Sequence, residues 1–279
     1  NQNFSLSGNV EKGSVKIPET NLFAKNIYGS AAIKKGILNI KTRQGKIGTS
    51  SFKKGRLDVD LFNYPDFPFH GDFNLDVDLA TLPDKLISLL PDTLLSKELS
   101  LVTNLTDHAK ARLTLSLDTM QENMNIRVHA TEFSAHGNYS RIPGDIDVFE
   151  THFDYETDKV TLTGFSGQAD KSKITDLNAV FDFTSDKLLQ IQSGSALLNI
   201  DTLMPWLKTY DRVMKIISLV KDGRGDLVIN SIAIEGDLLS PEKWEYDIRG
   251  TGNNLLINLG TSLQDITSMS CSFSFSDKG

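Results

Sequence analysis

The chain has 279 residues, of which 39% are hydrophobic and 23% are charged, a composition that fits an ordered protein and excludes a disordered one. The formal net charge is −7, and the lysines and arginines are scattered along the chain, so the sequence lacks the basic stripe expected of a nucleic-acid-binding protein. No apolar run is long enough to predict a membrane-spanning helix. Because both ends resemble strands, we expect a fragment of a longer protein, with any membrane anchor outside it.

The first sixty residues alternate apolar and polar side chains, which predicts short strands joined by tight turns. Turn signals occur at Glu11–Gly13 and at Lys34–Gly36. The predicted strands are Phe4–Val10, Val15–Ile17, Asn26–Ser30, Ala31–Ile33, Ile37–Ile40, Ile47–Phe52 and Leu57–Leu61.

The next segment, 67–79, predicts a long strand, because every odd position is apolar or glycine and every even position is proline or polar. In an extended chain the large odd-numbered side chains share one face, namely Phe67, Phe69, Phe73, Leu75, Val77 and Leu79. The opposite face carries His70, Asp72, Asn74, Asp76 and Asp78. We expect a ribbon roughly 40 Å long, apolar on one side and hydrated on the other.

Two short amphipathic helices interrupt the strands. Thr81 is the predicted N-cap of the first, which ends at Pro91. The second runs from Thr202 to about Lys221, with an apolar stripe that includes Trp206. The remaining predicted strands are Leu99–Leu105, Ala111–Leu117, Met124–Ala130, Ile146–Tyr155, Val160–Phe165, Leu177–Phe183, Leu188–Ile200, Leu227–Ile234, Trp244–Ile248, Leu255–Leu259 and Met269–Phe275.

The order of these elements recurs along the chain. The segment Gly71–Asp78, with Leu82-Pro83 beyond it, resembles Gly194–Asp201, with Met204-Pro205 beyond it. Both segments predict the end of a strand and the start of a helix. Recurring supersecondary units indicate stacked repeats. We expect three: residues 1–96 and 97–222, each ending in a helix, and a partial unit at 223–279.

The chain resembles the AsmA-like proteins of the Gram-negative envelope, the family that includes TamB and YhdP. The likeness lies in Ile234–Leu238, in Trp244–Gly250 with the strand that follows, and in glycine-punctuated strands ending in Phe-x-Phe, as in Phe181–Phe183 and Phe273–Phe275. It implies a repeating β-groove whose apolar face carries phospholipid acyl chains between inner and outer membranes. It also implies a periplasmic location and an inner-membrane anchor outside this chain.

The predicted fold class is therefore mainly β: a long, curved, largely antiparallel sheet of repeated units that forms a groove, with two short amphipathic helices. Two short helices are too little protein to cover such a sheet. We expect an open apolar trough that binds acyl lipid. The residues predicted to line it are Phe67, Phe69, Phe73, Leu75, Val77, Leu79, Leu113, Leu115, Leu117, Phe181 and Phe183.

Two other functions remain open. The chain could be a structural or adhesive β-solenoid or sandwich with a closed core, or a carbohydrate-active enzyme that uses the exposed aspartates, either Asp58 and Asp60 or Asp72, Asp76 and Asp78. We expect no enzyme and no cofactor, because alternation alone explains those aspartates as a solvated face. The histidines at 129, 136 and 152 lack the close spacing typical of a metal site.

Overall fold

The computed structural model describes residues 5–16, 23–63, 67–89, 94–117, 125–142, 144–156, 159–183, 188–208, 220–237, 240, 243–260 and 265–276. Within these residues the fold is mainly β, as predicted, and every strand pairing that the structure describes is antiparallel. Neighbours in the sequence are neighbours in the sheet, except that β6 lies off this path and pairs with β8. Such a meander follows from the short connections between strands.

The described strands number fifteen. They are β1 Ser5–Lys16, β2 Phe23–Lys34, β3 Ile37–Ile47, β4 Ser50–Asp60, β5 Phe69–Asp78, β6 Val102–Thr106, β7 His108–Leu117, β8 Asn125–Tyr139, β9 Asp145–Glu156, β10 Lys159–Ala169, β11 Ser172–Asp182, β12 Leu188–Asn199, β13 Asp222–Asp237, β14 Glu245–Asn258 and β15 Ile266–Ser276.

The described part of the chain has three short α-helices where two were predicted: α1 Leu82–Leu89, α2 Leu94–Leu99 and α3 Ile200–Leu207. The strand predicted at Leu99–Leu105 is present as β6 but starts three residues later than predicted, because Leu99 ends α2. The predicted second helix is present as α3, and its continuation over 209–219 lies outside the described residues.

A 3₁₀ turn, Leu79–Thr81, precedes α1. Its N-cap is Asp78, whose Oδ1 accepts a hydrogen bond of 3.1 Å from the Ala80 amide. The assignment of Thr81 as the N-cap is therefore corrected: the aspartate cap turns the chain three residues earlier.

The predicted strand over 67–79 is shorter than expected at both ends. Phe67 lies before β5 and has a left-handed φ of 38°. Leu79 starts the 3₁₀ turn, so it leaves the sheet. The prediction that these two side chains continue the face of β5 was wrong.

By its internal contacts the chain divides into two compact units. The first unit comprises Asn1–Ala135 with His152–Asp158, and the second comprises His136–Thr151 with Lys159–Gly279. The predicted division into three repeats stays a prediction.

Most strands carry a β-bulge near the middle. A positive φ marks the bulged residue at Lys12 in β1, Asn26 in β2, Lys54 in β4 and Asp176 in β11. A bulge bends its strand and increases its twist. The prediction of two strands, Asn26–Ser30 and Ala31–Ile33, was wrong, since β2 is continuous over both.

At the bulges, some backbone amides have no partner on the neighbouring strand. Side-chain oxygens accept hydrogen bonds from these amides. In the first unit, Oγ1 of Thr42 accepts a hydrogen bond of 3.0 Å from the buried Gly55 amide. In the second unit, Oδ1 of Asn178 accepts one of 3.0 Å from the Gly164 amide. Each unit therefore supplies an acceptor for a backbone donor that would otherwise lose its partner.

The core of the first unit lies at the end of its sheet near α1. Its buried residues are Ala24, Ile27 and Phe52, and the partly buried Val10, Ile47, Phe73 and Leu75 pack against them. The Phe52 ring lies directly over Gly45, where an added Cβ would stand 2.1 Å from the ring. Glycine at this position leaves the space that the far end of the aromatic ring occupies.

Candidate functional site: an apolar sheet surface

The register of β5 and β7 places their apolar side chains opposite each other. Phe73 pairs with Leu113 and Phe69 with Leu117. Directly paired residues of an antiparallel sheet project to the same side. Three of the predicted residues on β7, Leu113, Leu115 and Leu117, therefore share a face with those of β5.

The same face continues to the first strand. Phe69 pairs with Val59 of β4, which pairs with Leu38 of β3. Leu38 in turn pairs with Ile33 of β2, and Ile33 with Leu6 of β1. One row of apolar side chains thus crosses five strands without a charge.

We call this face of the first unit the apolar surface. Its large side chains are Leu6, Ile33, Leu38, Ile40, Leu57, Val59, Phe69, Phe73, Leu75, Val77, Leu113, Leu115, Leu117, Ile126 and Val128.

Most of the apolar surface is half-buried, and Leu6 is 57% exposed. In the described part of the first unit, the principal contacts of the strands are with their neighbours in the sheet. Side chains of a closed core would be fully buried. The half-buried side chains on this face are therefore shielded mainly by their neighbours in the sheet, whereas Ala109 and Ala130, at the end of the face near Leu79, are each 3% exposed.

The structure places the predicted lining residues in three groups. Phe69, Phe73, Leu75, Val77, Leu113, Leu115 and Leu117 lie on the apolar surface. Phe67 is outside the strand and 39% exposed, whereas Leu79 is 1% exposed and so does not line any open surface. Phe181 and Phe183 belong to the second unit.

The sequence prediction missed half of the apolar surface, including Ile33, Leu38, Leu57 and Val59. These residues alternate with polar ones just as those of β5 do. Pairing successive hairpins through their turn residues would have placed them on the same face.

The second unit has an equivalent face. Val160 and Phe181 pair across β10 and β11, and Phe181 pairs with Leu189 of β12. The rings of Phe181 and Phe183 stack with 6.5 Å between centroids. Apolar pairing within a face is thus common to both units.

The opposite, polar side of β4, β5 and β7 carries one ion pair between strands and one within β4, around a shallow recess of about 580 Å³. Arg112 donates to both carboxylate oxygens of Asp72, at 3.0 Å from Nε and 2.5 Å from Nη2. Arg56 lies 2.7 Å from Asp58. The hydrogen bond from Arg112 holds the pKa of Asp72 below its ordinary value. A general acid needs the opposite shift, so Asp72 is better suited to hold the strands together.

Three histidines each pair with an aspartate. His108 Nδ1 lies 3.2 Å from Asp76, His136 Nδ1 lies 2.7 Å from Asp147, and His129 pairs with Asp154. Among the described residues, no three His, Cys, Asp or Glu side chains are grouped to hold a metal ion.

Comparison with protein-family models, with curated proteins and with solved structures finds no match for this chain. In the part of the chain that the structure describes, no helix combines the length and apolar character needed to cross a membrane.

Proposed function

We propose that this chain binds phospholipid acyl chains on the apolar surface of its first unit. The observation that carries the proposal is the half-buried state of this surface, whose strands make their principal described contacts with their neighbours in the sheet. An apolar face of this extent is uncommon on a protein that has no ligand or partner for it.

Hydrocarbon suits the apolar surface better than a protein partner does. Protein interfaces combine an apolar centre with hydrogen bonds and a polar rim. The paired positions on this face carry no charged side chain, and the buried Thr42 hydroxyl already accepts from the Gly55 amide. An acyl chain needs no hydrogen bonds, and each buried methylene contributes about 0.8 kcal/mol.

The resemblance to the AsmA-like proteins extends the proposal to the cell envelope. On that reading the chain is a periplasmic portion of a larger protein, anchored in the inner membrane by a segment outside this sequence. It would bind or conduct phospholipid between the two membranes along its apolar face.

Lipid extraction tests the proposal directly. The chain is purified from bacteria without detergent and extracted with organic solvent, and the extract is analysed by mass spectrometry. We expect phospholipid in a fixed ratio to protein, and saturable uptake of a fluorescent fatty acid by the delipidated chain. If a folded preparation yields no phospholipid and takes up no probe, the proposal fails and a structural module remains the better description.

A further inference from the structure

Basic residues are concentrated in three adjacent strands of the first unit. Together β2, β3 and β4 carry eight lysines and arginines against two aspartates, Asp58 and Asp60. These strands therefore have a formal charge of +6 in a chain whose net charge is −7, which leaves −13 for the rest of the chain. Although the basic residues are separated in the sequence, strand pairing brings them side by side.

Five of these residues project to the polar side of the sheet. Successive side chains of a strand point to opposite faces, and each of the five is adjacent in sequence to a residue of the core cluster or of the apolar surface, as Lys25 is to Ala24 and Arg56 to Leu57. We call these five residues the basic face: Lys25, Lys41, Lys46, Lys53 and Arg56. All five are exposed.

The arrangement of the basic face has an electrostatic cost. Lys25 is directly paired with Lys46, and Lys41 with Arg56, and like charges at such positions destabilise a sheet. Arg56 lies 2.7 Å from Asp58, but none of the four lysines forms a salt bridge with a carboxylate among the described residues. Local conflicts of this kind are typical of functional sites.

The strand β5 marks the limit of the basic face. On the same side of the sheet it carries Asp72 and Asp76. Asp72 lies 2.5 Å from Arg112 of β7, and Asp76 lies 3.2 Å from His108 of β7. These carboxylates are therefore engaged on the side of β5 that faces away from β4.

The surroundings of the lysines indicate what kind of partner fits. The other positions directly paired with them carry Ser30, Gln44, Ser51 and Asn74, so they lack the apolar centre typical of a protein interface. Proteins that read duplex DNA insert a helix or a ribbon into a groove, whereas the basic face is the broad side of a sheet. An array of exposed lysines suits a surface whose negative charge is spread out, such as an anionic bilayer.

We infer that the basic face docks the first unit onto the surface of an anionic phospholipid bilayer. Lysine ammonium groups donate charge-assisted hydrogen bonds to headgroup phosphates, and the negative surface offsets the repulsion between the paired basic residues. The negative charge of the rest of the chain disfavours other orientations on the same surface. The inference goes beyond the proposed function, because it uses the side of the sheet opposite the apolar surface and does not depend on acyl-chain binding.

Vesicle binding by matched charge variants tests the inference. The face variant is Lys25→Gln with Lys46→Gln. The control is Lys159→Gln with Lys173→Gln, which removes the same charge from exposed positions of β10 and β11. Co-sedimentation measures the affinity of each protein for vesicles of phosphatidylcholine alone and of phosphatidylcholine mixed in equal parts with phosphatidylglycerol.

We expect the unaltered chain and the control to bind the mixed vesicles and not the neutral ones. The face variant binds the mixed vesicles about thirtyfold more weakly, because two lysines near the surface are lost. Absence of binding to the mixed vesicles overturns the inference, as does equal binding to neutral vesicles or an equal loss in the face variant and the control. Binding of poly-glutamate without binding of anionic vesicles also overturns it and indicates an acidic protein partner.

Ionic strength provides a second measurement that needs no variant. Salt screens exposed charges, so we expect rising salt to release the chain from the mixed vesicles, and binding that persists at high salt contradicts the inference. Removing the paired lysines relieves repulsion, so the face variant melts no lower than the control.

Uptake of a fluorescent fatty acid by the same variants separates this inference from the proposed function. We expect the face variant to take up the fatty acid as well as the unaltered chain does. Uptake without binding of anionic vesicles overturns the inference alone. Vesicle binding that is lost in the face variant, without uptake in any protein, supports the inference and removes the proposed function.

Discussion

The rings of Phe52 and Phe73 meet edge-on, with 5.9 Å between their centroids. Phe52 is 4% exposed, whereas Phe73 is half-buried on the apolar surface. This contact joins the small closed core of the first unit to the open part of its sheet. The stability of the unit and its proposed binding surface therefore meet at one aromatic pair.

Replacing Phe52 by alanine removes the largest buried side chain of the core cluster. We expect Phe52→Ala to lower the free energy of unfolding by about 3 kcal/mol, because it leaves a cavity beside Phe73. Phe275→Ala is the matched control, since Phe275 is 58% exposed. Urea denaturation measures the free energy of unfolding of both variants. Equal losses would show that this cluster is not the core of the unit.

A substitution at Gly45, which the Phe52 ring contacts, tests how this ring packs on the sheet. A Cβ there would collide with the ring, so we expect Gly45→Ala to destabilise the protein by about 1–3 kcal/mol. Gly8→Ala adds the same methyl group where no atom lies within 4 Å, and we expect no loss. Thermal melts compare the two variants, and a harmless Gly45→Ala would contradict the packing described.

The hydroxyl of Thr42 is the acceptor for the Gly55 amide at the bulge of β4. Thr42 is 8% exposed, so Thr42→Val leaves a buried donor unpaired, at a cost of about 1–3 kcal/mol. Thr42→Ser keeps the hydroxyl and is the control. Chemical denaturation distinguishes them, and equal stability of the valine and serine variants would rule out this role of the hydroxyl.

The Asp72–Arg112 pair predicts a pH dependence of stability. Because the pKa of Asp72 is lowered in the folded protein, its stabilising contribution is complete above the unfolded value of about 3.9 and disappears as pH falls through the folded value. Asp72→Asn therefore lowers the melting temperature at pH 7. The difference in melting temperature between this variant and the unaltered protein becomes smaller below about pH 4. In an Arg112→Gln background, Asp72→Asn has no further effect. If this difference in melting temperature did not change with pH, the stabilising role of the Asp72–Arg112 ion pair would be contradicted.

The two faces of β7 provide a test of lipid binding with neighbouring residues. Leu115 lies on the apolar surface, and Ser116 projects to the opposite face. We expect Leu115→Asn to weaken binding of a fluorescent fatty acid about tenfold, since apolar contact is lost. Ser116→Asn leaves binding unchanged. Thermal melts of both variants separate lost binding from lost folding, and equal weakening would show that the apolar surface is not the binding face.

The sequence predicted the strand content well because alternation with period two records which side of a sheet a residue faces. It did so for β5 and β7, where Phe69 to Val77 and Leu113 to Leu117 lie as expected. The sequence did not predict the strand boundaries that depend on the backbone conformation of a single residue. The positive φ values of Lys12 and Lys54 could not be foreseen, since lysine has no special preference for that region.

The candidate site was only partly predictable for a related reason. Alternation identifies a face within one strand, whereas the extent of the apolar surface depends on pairing between strands. Leu79 fits the alternating pattern but is buried in a 3₁₀ turn, because Asp78 caps that turn. The six-residue helix α2 is too short to leave a periodic signal.

An uncovered sheet also has a mechanical consequence. In the described part of the first unit, contacts run sideways from strand to strand, so each strand depends chiefly on its nearest neighbours, as in a repeat protein. We expect amide exchange to be fastest at β1 and to slow strand by strand towards β4 and β5. A bound hydrocarbon chain that contacts several strands would couple their unfolding. With lipid bound, we then expect one sharp thermal unfolding transition in place of gradual unfolding strand by strand.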